Sequence, residues 1–575
     1  MSTATPIATS NGAGTTTQPL PTAIMPIENK AQRTLGRRVG PFALTAFSVG
    51  SVIGAMWLVA GPLATRLAGA ASLVSWAVAA FMLVFIALVY GELSATYPVS
   101  GGTARYSFLC FGPLAGFAAG WASWLQAVTI GPIETEIAIS YLEPQWSGLV
   151  NSSGLLTEKG VGVAIAFMVF FTLLNLAGIR FLAGLNHLAV YWKIAVPLIA
   201  VAALAATSFH TTNFYSAGGF SPFGVEGILK AIPISGLVLA LFGFEQAVQV
   251  GGEARQPREH LPTAVISSLL IAAVVYLLLQ AAYIGALDPD RLTNAASWVN
   301  PLSGASGVAV AYGPFARLAT SLGVGWVATL IYIDAVVSPA GKATLYVSST
   351  SRITYSMSRT GTSPRVFERL DGRGTPWFSI VLAAVVGVVI FLPFSGWSRL
   401  IDFLAAATAF MYAFAPVSLA ALRRSDPDRY RPYKVPAADV LAPVAFVFAN
   451  LIIYWTGWPT VWRVSAGIAI GALLFLLAYL FTASAHRQPL KLRSAAWVLP
   501  WLIGIMVLDA LGPAYVSGAH HVIPFWWDLG IVAVFSLAVF YLSQWLALPS
   551  GAVAANIAEA HMPTSEEDID FGAGS

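Results

Sequence analysis

The sequence predicts an all-α membrane protein with many spans. Its 575 residues are 57% apolar and only 10% charged, whereas soluble domains carry about 25% charged residues. Apolar runs of about 18 to 25 residues recur along the chain, and each is long enough to cross a bilayer as a helix. Stretches such as 161–174 and 466–481 are apolar on every side, so they do not show the alternation of outer-membrane strands.

The spans are separated by charged residues and by clusters of proline and glycine. This division predicts about fourteen transmembrane helices, near residues 42–65, 72–96, 113–142, 161–182, 186–207, 230–251, 262–286, 318–350, 375–394, 397–422, 438–458, 461–483, 495–515 and 524–546. The connections are short, so no soluble domain is expected between them. A functional site would therefore lie within the membrane.

The basic residues predict the orientation of these helices. Of the 30 Lys and Arg residues, 21 fall in connections on the side of the N-terminus and 7 on the opposite side, while Lys193 and Lys342 fall inside spans. Short cytoplasmic loops are enriched in Lys and Arg. We therefore expect a cell-membrane protein with both termini in the cytoplasm. Residues 1–38 are expected to be a disordered N-terminus, and 547–575 a disordered acidic tail.

Several classes of partner are excluded by composition. The net charge is only +4 and is scattered over many loops, which argues against nucleic-acid binding. The single Cys110 excludes an intrachain disulfide, and no Cys/His spacing typical of a metal site occurs. No glycine-rich phosphate loop is present, so ATP is not expected, and no cofactor is predicted.

The first and sixth spans carry signs of interrupted helices. Residues 48–55 read Ser-Val-Gly-Ser-Val-Ile-Gly-Ala, and residues 242–246 read Phe-Gly-Phe-Glu-Gln. The pair Gly50 and Gly54 alone would also suit close helix packing. Interruptions at corresponding positions of two halves, however, are typical of a transporter site, because broken helix ends present their dipoles to charged substrate groups.

Ionisable residues inside the spans are the other candidates, because a charge at a helix centre costs at least about 2.5 kcal/mol. They are Glu134, Glu136, Lys193, Glu245, Asp334 and Lys342. Each also has a structural interpretation. Glu245 could hold the unwound backbone of helix six, Lys193 could pair permanently with Asp334 or Glu134, and Asp334 could be a buried partner only. Glu136 and Lys342 are predicted to be structural, although Lys193 or Lys342 could also help to offset the second negative charge of an acidic substrate.

Short motifs in a common order connect the chain to a known family. They are the break from Gly50 to Gly54, Gly91-Glu92-Leu93 with Tyr97-Pro98 and Gly101-Gly102, Gly243-Phe244-Glu245, Pro257-Arg258 to Pro262, Ser351-Arg352 to Arg359, and Arg431-Pro432-Tyr433-Lys434-Val435-Pro436. Through them the chain resembles the amino acid–polyamine–organocation (APC) permeases. Pro132-Ile133-Glu134, Trp192-Lys193 and Asp334 to Pro339 resemble the bacterial aspartate–proton symporter branch. Met56 and Glu259 depart from the family pattern.

The resemblance implies a fold and a set of site residues. It implies a five-plus-five inverted repeat of the LeuT type in residues 39–423, with helices one and six interrupted, and four additional helices in residues 424–546. The substrate is expected at Gly50, Ser51, Val52, Ile53, Gly54, Ala55, Phe242, Gly243, Phe244 and Glu245. Proton coupling is expected at Lys193, Glu245, Asp334 and Glu134, and gating at Glu92, Arg105, Phe242 and Arg352.

The predicted function is proton-coupled import of an amino acid, with aspartate or glutamate as candidates, by alternating access. Backbone amides at the first break suit a carboxylate, and carbonyls at the second suit an ammonium. The resemblance puts Lys193 where sodium-coupled relatives bind their ion, and a desolvated ammonium can release its proton. An antiporter of the same fold is the alternative. A membrane enzyme is less favoured because no HExxH spacing occurs. A non-transporting sensor is less favoured because no cytoplasmic signalling domain is expected between the spans.

Overall fold

The structure is a computed structural model that describes residues 39–177, 179–302, 313–372, 375–391, 397–481, 489–513 and 516–559, with only the backbone for 179–187, 397–399 and 481. The predicted N-terminal segment 1–38 lies outside these residues. Over the described ranges the regular structure is helical, apart from two isolated bridges between Val39 and Ala254 and between Val150 and Leu156. Nine helices in the described chain are long and apolar enough to cross a membrane.

Of the first five predicted spans, the first is a broken helix. Span one is two helices, α1 and α2, because Ile53 takes an extended conformation (φ −79°, ψ 109°) that ends α1. The helices are α1 (Pro41–Val52), α2 (Trp57–Ala68), α3 (Ser72–Thr96), α4 (Gly102–Phe111), α5 (Pro113–Leu142), α6 (Glu158–Leu176) and α7 (Ile179–Thr207). Helix α4 lies in the connection between the second and third spans.

The sixth span is also broken. It consists of α8 (Gly224–Ile234), α9 (Leu237–Leu241) and α10 (Gln246–Gln249). Left-handed Gly236 (φ 73°) separates α8 from α9, and extended Phe242 (φ −73°, ψ 149°) ends α9. The following helices are α11 (Pro257–Ala286), α12 (Pro314–Ser321), α13 (Gly325–Arg359), α14 (Trp377–Ile390) and α15 (Trp397–Ser425).

The C-terminal helices pack against this first part. They are α16 (Ala438–Trp455), α17 (Trp458–Phe481), α18 (Leu492–Ala495), α19 (Val498–Ala510), α20 (Trp527–Leu546) and α21 (Ser550–Glu559). Helix α16 packs on α15 and α3, and α17 on α15 and α5. In the latter contact, Trp121 Nε1 donates to the Gly467 carbonyl (2.9 Å).

The prediction of a disordered tail from residue 547 is wrong for α21. The Asn556 side chain donates to the carbonyls of Phe108 (3.2 Å) and Leu109 (3.0 Å), at the end of α4. The Leu548 amide donates to the Cys110 carbonyl (2.9 Å) in the same region. The carbonyls of Leu109 and Cys110 lie in the last turn of α4, where carbonyls have no intrahelical partners, and these bonds hold α21 against α4. Residues 560–575 lie outside the described ranges.

Helices five predicted spans apart pack most extensively in the interior. Helix α3 packs along α11, and α5 packs along α13. Helix α1 packs against α7, α11 and α13, with α10 at its end. The break between α1 and α2 is therefore enclosed by other helices, and residues 46–60 are all buried.

Candidate functional site

The break between α1 and α2 contacts a carboxylate and an ammonium from two other helices. Glu134 of α5 accepts a hydrogen bond from the Ala55 amide through Oε2 (2.6 Å). Its other oxygen lies 3.3 Å from Nζ of Lys342, a residue of α13, and Lys342 also donates to the Val52 carbonyl (3.3 Å). Both side chains are buried. The first break thus already contains an anion at a helix N-terminus, where the partial positive charge favours one.

Lys193 of α7 lies at the carbonyl end of α1. Its ammonium donates to the carbonyls of Gly50 (2.7 Å) and Ile53 (2.9 Å), and the side chain is fully buried. It also faces α13, because a Cβ added at Gly341 would lie 3.1 Å from Nζ. A cation is favourable at a helix C-terminus, where unpaired carbonyls concentrate partial negative charge. The ammonium therefore occupies a position between α1 and α13 that is lined by carbonyl oxygens.

Asp334 of α13 has partners other than Lys193. Its carboxylate accepts from Trp57 Nε1 (3.0 Å) and from the Ser338 hydroxyl (2.5 Å). The sequence left open a permanent ion pair of Lys193 with Asp334 or Glu134. Among the described residues, Lys193 instead donates its hydrogen bonds to backbone carbonyls. Asp334 connects the start of α2 to α13.

The break in span six is held by Glu245 and Tyr412. Glu245 accepts from the Gly243 amide (3.0 Å), from Gln246 Nε2 (2.6 Å) and from the Tyr412 hydroxyl of α15 (2.5 Å). These bonds are those expected if Glu245 holds the unwound backbone. The ring of Tyr412 stacks on Phe244 (5.2 Å between centroids) and meets Phe242 edge to face (5.1 Å). Phe242 is thus fully buried in the break itself.

The two breaks touch each other through their backbones. Gly243 has a φ of 123°, and a Cβ added there would lie 2.6 Å from the carbonyl carbon of Ser51 and 2.8 Å from the Val52 amide nitrogen. Only glycine allows so close an approach in this conformation. In addition, the Ser48 hydroxyl donates to the Phe244 carbonyl (3.0 Å), while the Ser51 hydroxyl bonds within α1 to the Phe47 carbonyl (2.7 Å).

A second contact joins the same two segments at the start of α1. The Val39 amide donates to the Glu253 carbonyl (2.9 Å), and the Arg255 amide donates to the Val39 carbonyl (2.9 Å). The Glu253 side chain pairs with Arg352 of α13 (2.5 Å from Oε1 to Nε). Arg352 also donates to the Ser348 hydroxyl (2.7 Å). Glu253 therefore links the residue before α1 to α13.

The four residues predicted as a gate do not form one group. Glu92 of α3 is buried and pairs with Arg423 and Arg431, and it accepts from the Val435 amide (2.7 Å). Arg352 belongs to the Glu253 cluster, and Phe242 to the break in span six. Arg105 lies in α4 and takes part in neither of these ion pairs.

Sequence reasoning missed several partners of the predicted residues. The sequence does not predict Tyr412 and Glu253 as site residues, and it does not relate Lys342 to Glu134. The glycines at 251 and 252 mark the turn that carries Glu253, but no local pattern relates it to Arg352. Within the described ranges, no three His, Cys, Asp or Glu side chains come together as metal ligands.

Comparison with known proteins gives the family. The amino acid permease family profile matches residues 39–508. The chain is 34% identical over 527 residues to the glutamate/serine transporter AimA of Bacillus subtilis, covering 90% of this chain and 94% of that protein. It is 30% identical over 521 residues to the aspartate-proton symporter of the same organism, covering 89% and 97%.

A solved structure is also similar at a lower level. It is that of Mhp1, a nucleobase-cation-symport-1 family transporter in a closed conformation with bromovinylhydantoin bound. The similarity has a TM-score of 0.45 and 16% sequence identity, and it covers 79% of this chain and 96% of that one. The profile match and the two relatives establish the identity on their own: this chain is a multi-pass membrane protein of the amino acid permease family, a transporter and not an enzyme.

Proposed function

We propose that the protein imports an amino acid together with protons by alternating access. The proposed architecture is a five-plus-five inverted repeat within about fourteen spans, with both termini in the cytoplasm. The observation that carries the proposal is the backbone contact between the breaks of spans one and six, at Gly243 and Ser51. The packing of α3 with α11 and of α5 with α13, each pair five spans apart, supports the repeat.

The substrate site is proposed at the two breaks. The amides that precede α2, at Gly54 and Ala55, suit the substrate carboxylate, and the carbonyls from Phe242 to Phe244 suit its ammonium. Aspartate or glutamate is proposed as substrate, because the named relatives are a glutamate/serine transporter and an aspartate-proton symporter. The buried ammonium groups of Lys193 and Lys342 beside the first break favour the same choice.

Lys193 is proposed to carry or gate the proton. Its ammonium bonds to the carbonyls of Gly50 and Ile53, at the end of a helix that must move if the site opens alternately to the two sides. Loss of the proton would leave a neutral amine that binds these carbonyls more weakly. Protonation of Lys193 would thus be linked to the position of α1. Glu245, Asp334 and Glu134 are the competing carriers.

The test is uptake of labelled aspartate and glutamate by proteoliposomes with an imposed pH gradient. Lys193→Ala should retain substrate binding and lose uphill uptake, and Lys193→Arg should fail in the same way because guanidinium does not release its proton. Lys159→Ala is the matched control, since Lys159 is exposed at the start of α6 and bonds only to the Ser147 carbonyl (2.8 Å) among the hydrogen bonds described.

The outcomes separate the candidate carriers and the alternative function. Normal accumulation by both Lys193 variants would remove Lys193 from the mechanism, and loss confined to Glu245→Gln would move the proton site to span six. Wild-type protein that exchanges internal for external amino acid, but shows no accumulation with the pH gradient, would be an antiporter.

A further inference from the structure

The carboxylate of Glu134 lies at the position proposed for the substrate carboxylate. It accepts from the Ala55 amide at 2.6 Å, just before α2, a helix of 12 residues. The side chain reaches this amide because residue 54 is glycine. A Cβ there would lie 2.6 Å from each oxygen of Glu134 and would also meet the Lys342 side chain. The first break is therefore shaped around a carboxylate that the protein itself supplies.

A substrate carboxylate and Glu134 cannot bind the Ala55 amide together. One amide hydrogen makes one strong, linear hydrogen bond, and two carboxylates held against each other in a buried site repel. Binding of an amino acid at this amide therefore requires Glu134 to withdraw. When it does, Lys342 loses the carboxylate that lies 3.3 Å from its ammonium.

The charge balance then distinguishes among amino acids. With Glu134 in place, the buried ammonium groups of Lys193 and Lys342 are balanced by two carboxylates, because buried Asp334 also lies beside the break through its bond to Trp57. Withdrawal of Glu134 leaves one positive charge in excess. A neutral amino acid has no net charge and cannot replace the charge that is lost, so Lys342 would be left buried and unpaired, which is costly. An amino acid with two carboxylates has a net charge of −1 and restores the balance.

We propose that Glu134 is a resident carboxylate that the substrate displaces, and that Lys342 then binds the second carboxylate of a dicarboxylic amino acid. This rests on the proposed function, and it adds a displaced group and a specificity residue to the same site. Glu134 acts as an internal competitor for the Ala55 amide. Lys342, rather than Lys193, then selects acidic substrates.

The experiment is equilibrium binding of aspartate, glutamate and serine to the purified full-length chain by titration calorimetry. Glu134→Gln removes the charged competitor, so its Kd for aspartate should fall by about tenfold or more. Lys342→Met should lower the preference for aspartate over serine by about tenfold or more. Glu136→Gln is the matched control, because it lies two residues further along α5 and neither of its oxygens accepts a hydrogen bond among the described residues.

A second measurement tests the same proposal if Glu134→Gln folds too poorly for calorimetry. Glu134→Ala leaves a space of carboxylate size beside the Ala55 amide and Lys342, so sodium acetate should raise its melting temperature more than sodium chloride does. Acetate should have no such effect on the wild type or on Glu136→Ala, whose Ala55 amide is still occupied by Glu134. Equal effects of acetate on all three proteins would overturn the proposal.

The results also separate this proposal from the proposed function. Wild-type protein that binds none of the three amino acids would refute the proposed function. Wild-type protein that binds aspartate, together with a Glu134→Gln variant of unchanged or weaker affinity and normal melting temperature, would refute only the displacement of Glu134. An unchanged preference in Lys342→Met would refute the role of Lys342.

Discussion

Gly243→Ala tests whether the contact between the two breaks is required for transport. The added Cβ would lie nearest the Ser51 carbonyl oxygen and 2.6 Å from the carbonyl carbon, whereas ordinary contacts begin at 3.4 Å, so the two segments must separate by at least about 0.8 Å. An alanine at φ 123° adds backbone strain of about 1–3 kcal/mol. At about 1.4 kcal/mol per tenfold change, we expect the competent arrangement to become roughly 5- to 140-fold rarer.

The assay is initial uptake of labelled aspartate by proteoliposomes that contain equal amounts of each variant. Gly162→Ala is the control, because a Cβ at this position of α6 meets nothing within 4 Å. It should transport as the wild type does, while Gly243→Ala should lose at least about four-fifths of the rate. Wild-type uptake by Gly243→Ala would refute the idea that close contact of the two breaks is needed.

Other substitutions test single contacts. Gly54→Leu should abolish amino acid binding, because its side chain would fill the space beside the Ala55 amide that Glu134 occupies and that the substrate carboxylate needs; wild-type affinity in a binding titration would contradict this. Tyr412→Phe removes a donor to buried Glu245 and should destabilise the protein by about 1–3 kcal/mol, so an unchanged melting temperature would show that the bond contributes nothing. Burial raises the pKa of the Glu143 carboxyl, but three backbone amides outweigh it and hold the pKa below its ordinary value. The stability that the ionised Glu143 carboxylate gives the folded protein is therefore present above the unfolded pKa and is lost as the pH falls through the folded pKa. Glu143→Gln should melt below the wild type near neutral pH and approach it in acid, and a constant difference would contradict this reasoning.

The breaks were predictable because they depend on local sequence. Small residues from Gly50 to Gly54 and the glycine at 243 weaken helix formation where they occur, and α1 and α9 end at Val52 and Leu241. Buried charges such as Lys193 and Glu134 were also predictable, since a charge in an apolar span stands out in the sequence.

The pairing of these charges was not predictable. Glu92 and Arg423 are 331 positions apart, and Glu253 and Arg352 are 99 apart. No periodicity links residues on different helices, because their contact depends on how whole helices pack. The α21 helix was missed for a related reason: its Asn556 bonds to carbonyls of α4, 447 and 448 positions earlier.

The attachment of α1 to span six at both ends limits how either can move. Backbone hydrogen bonds join Val39 to Glu253 and Arg255 at one end, and Gly243 abuts Ser51 at the other. Ten helical residues, 41–50, lie between these two joints, a distance of about 15 Å along the helix at 1.5 Å per residue. Because α1 and span six are joined at both of these points, neither segment can rotate separately without breaking one of the two contacts. Any rocking of α1 must carry the broken sixth helix with it, so the halves of the site that they form would travel as one piece.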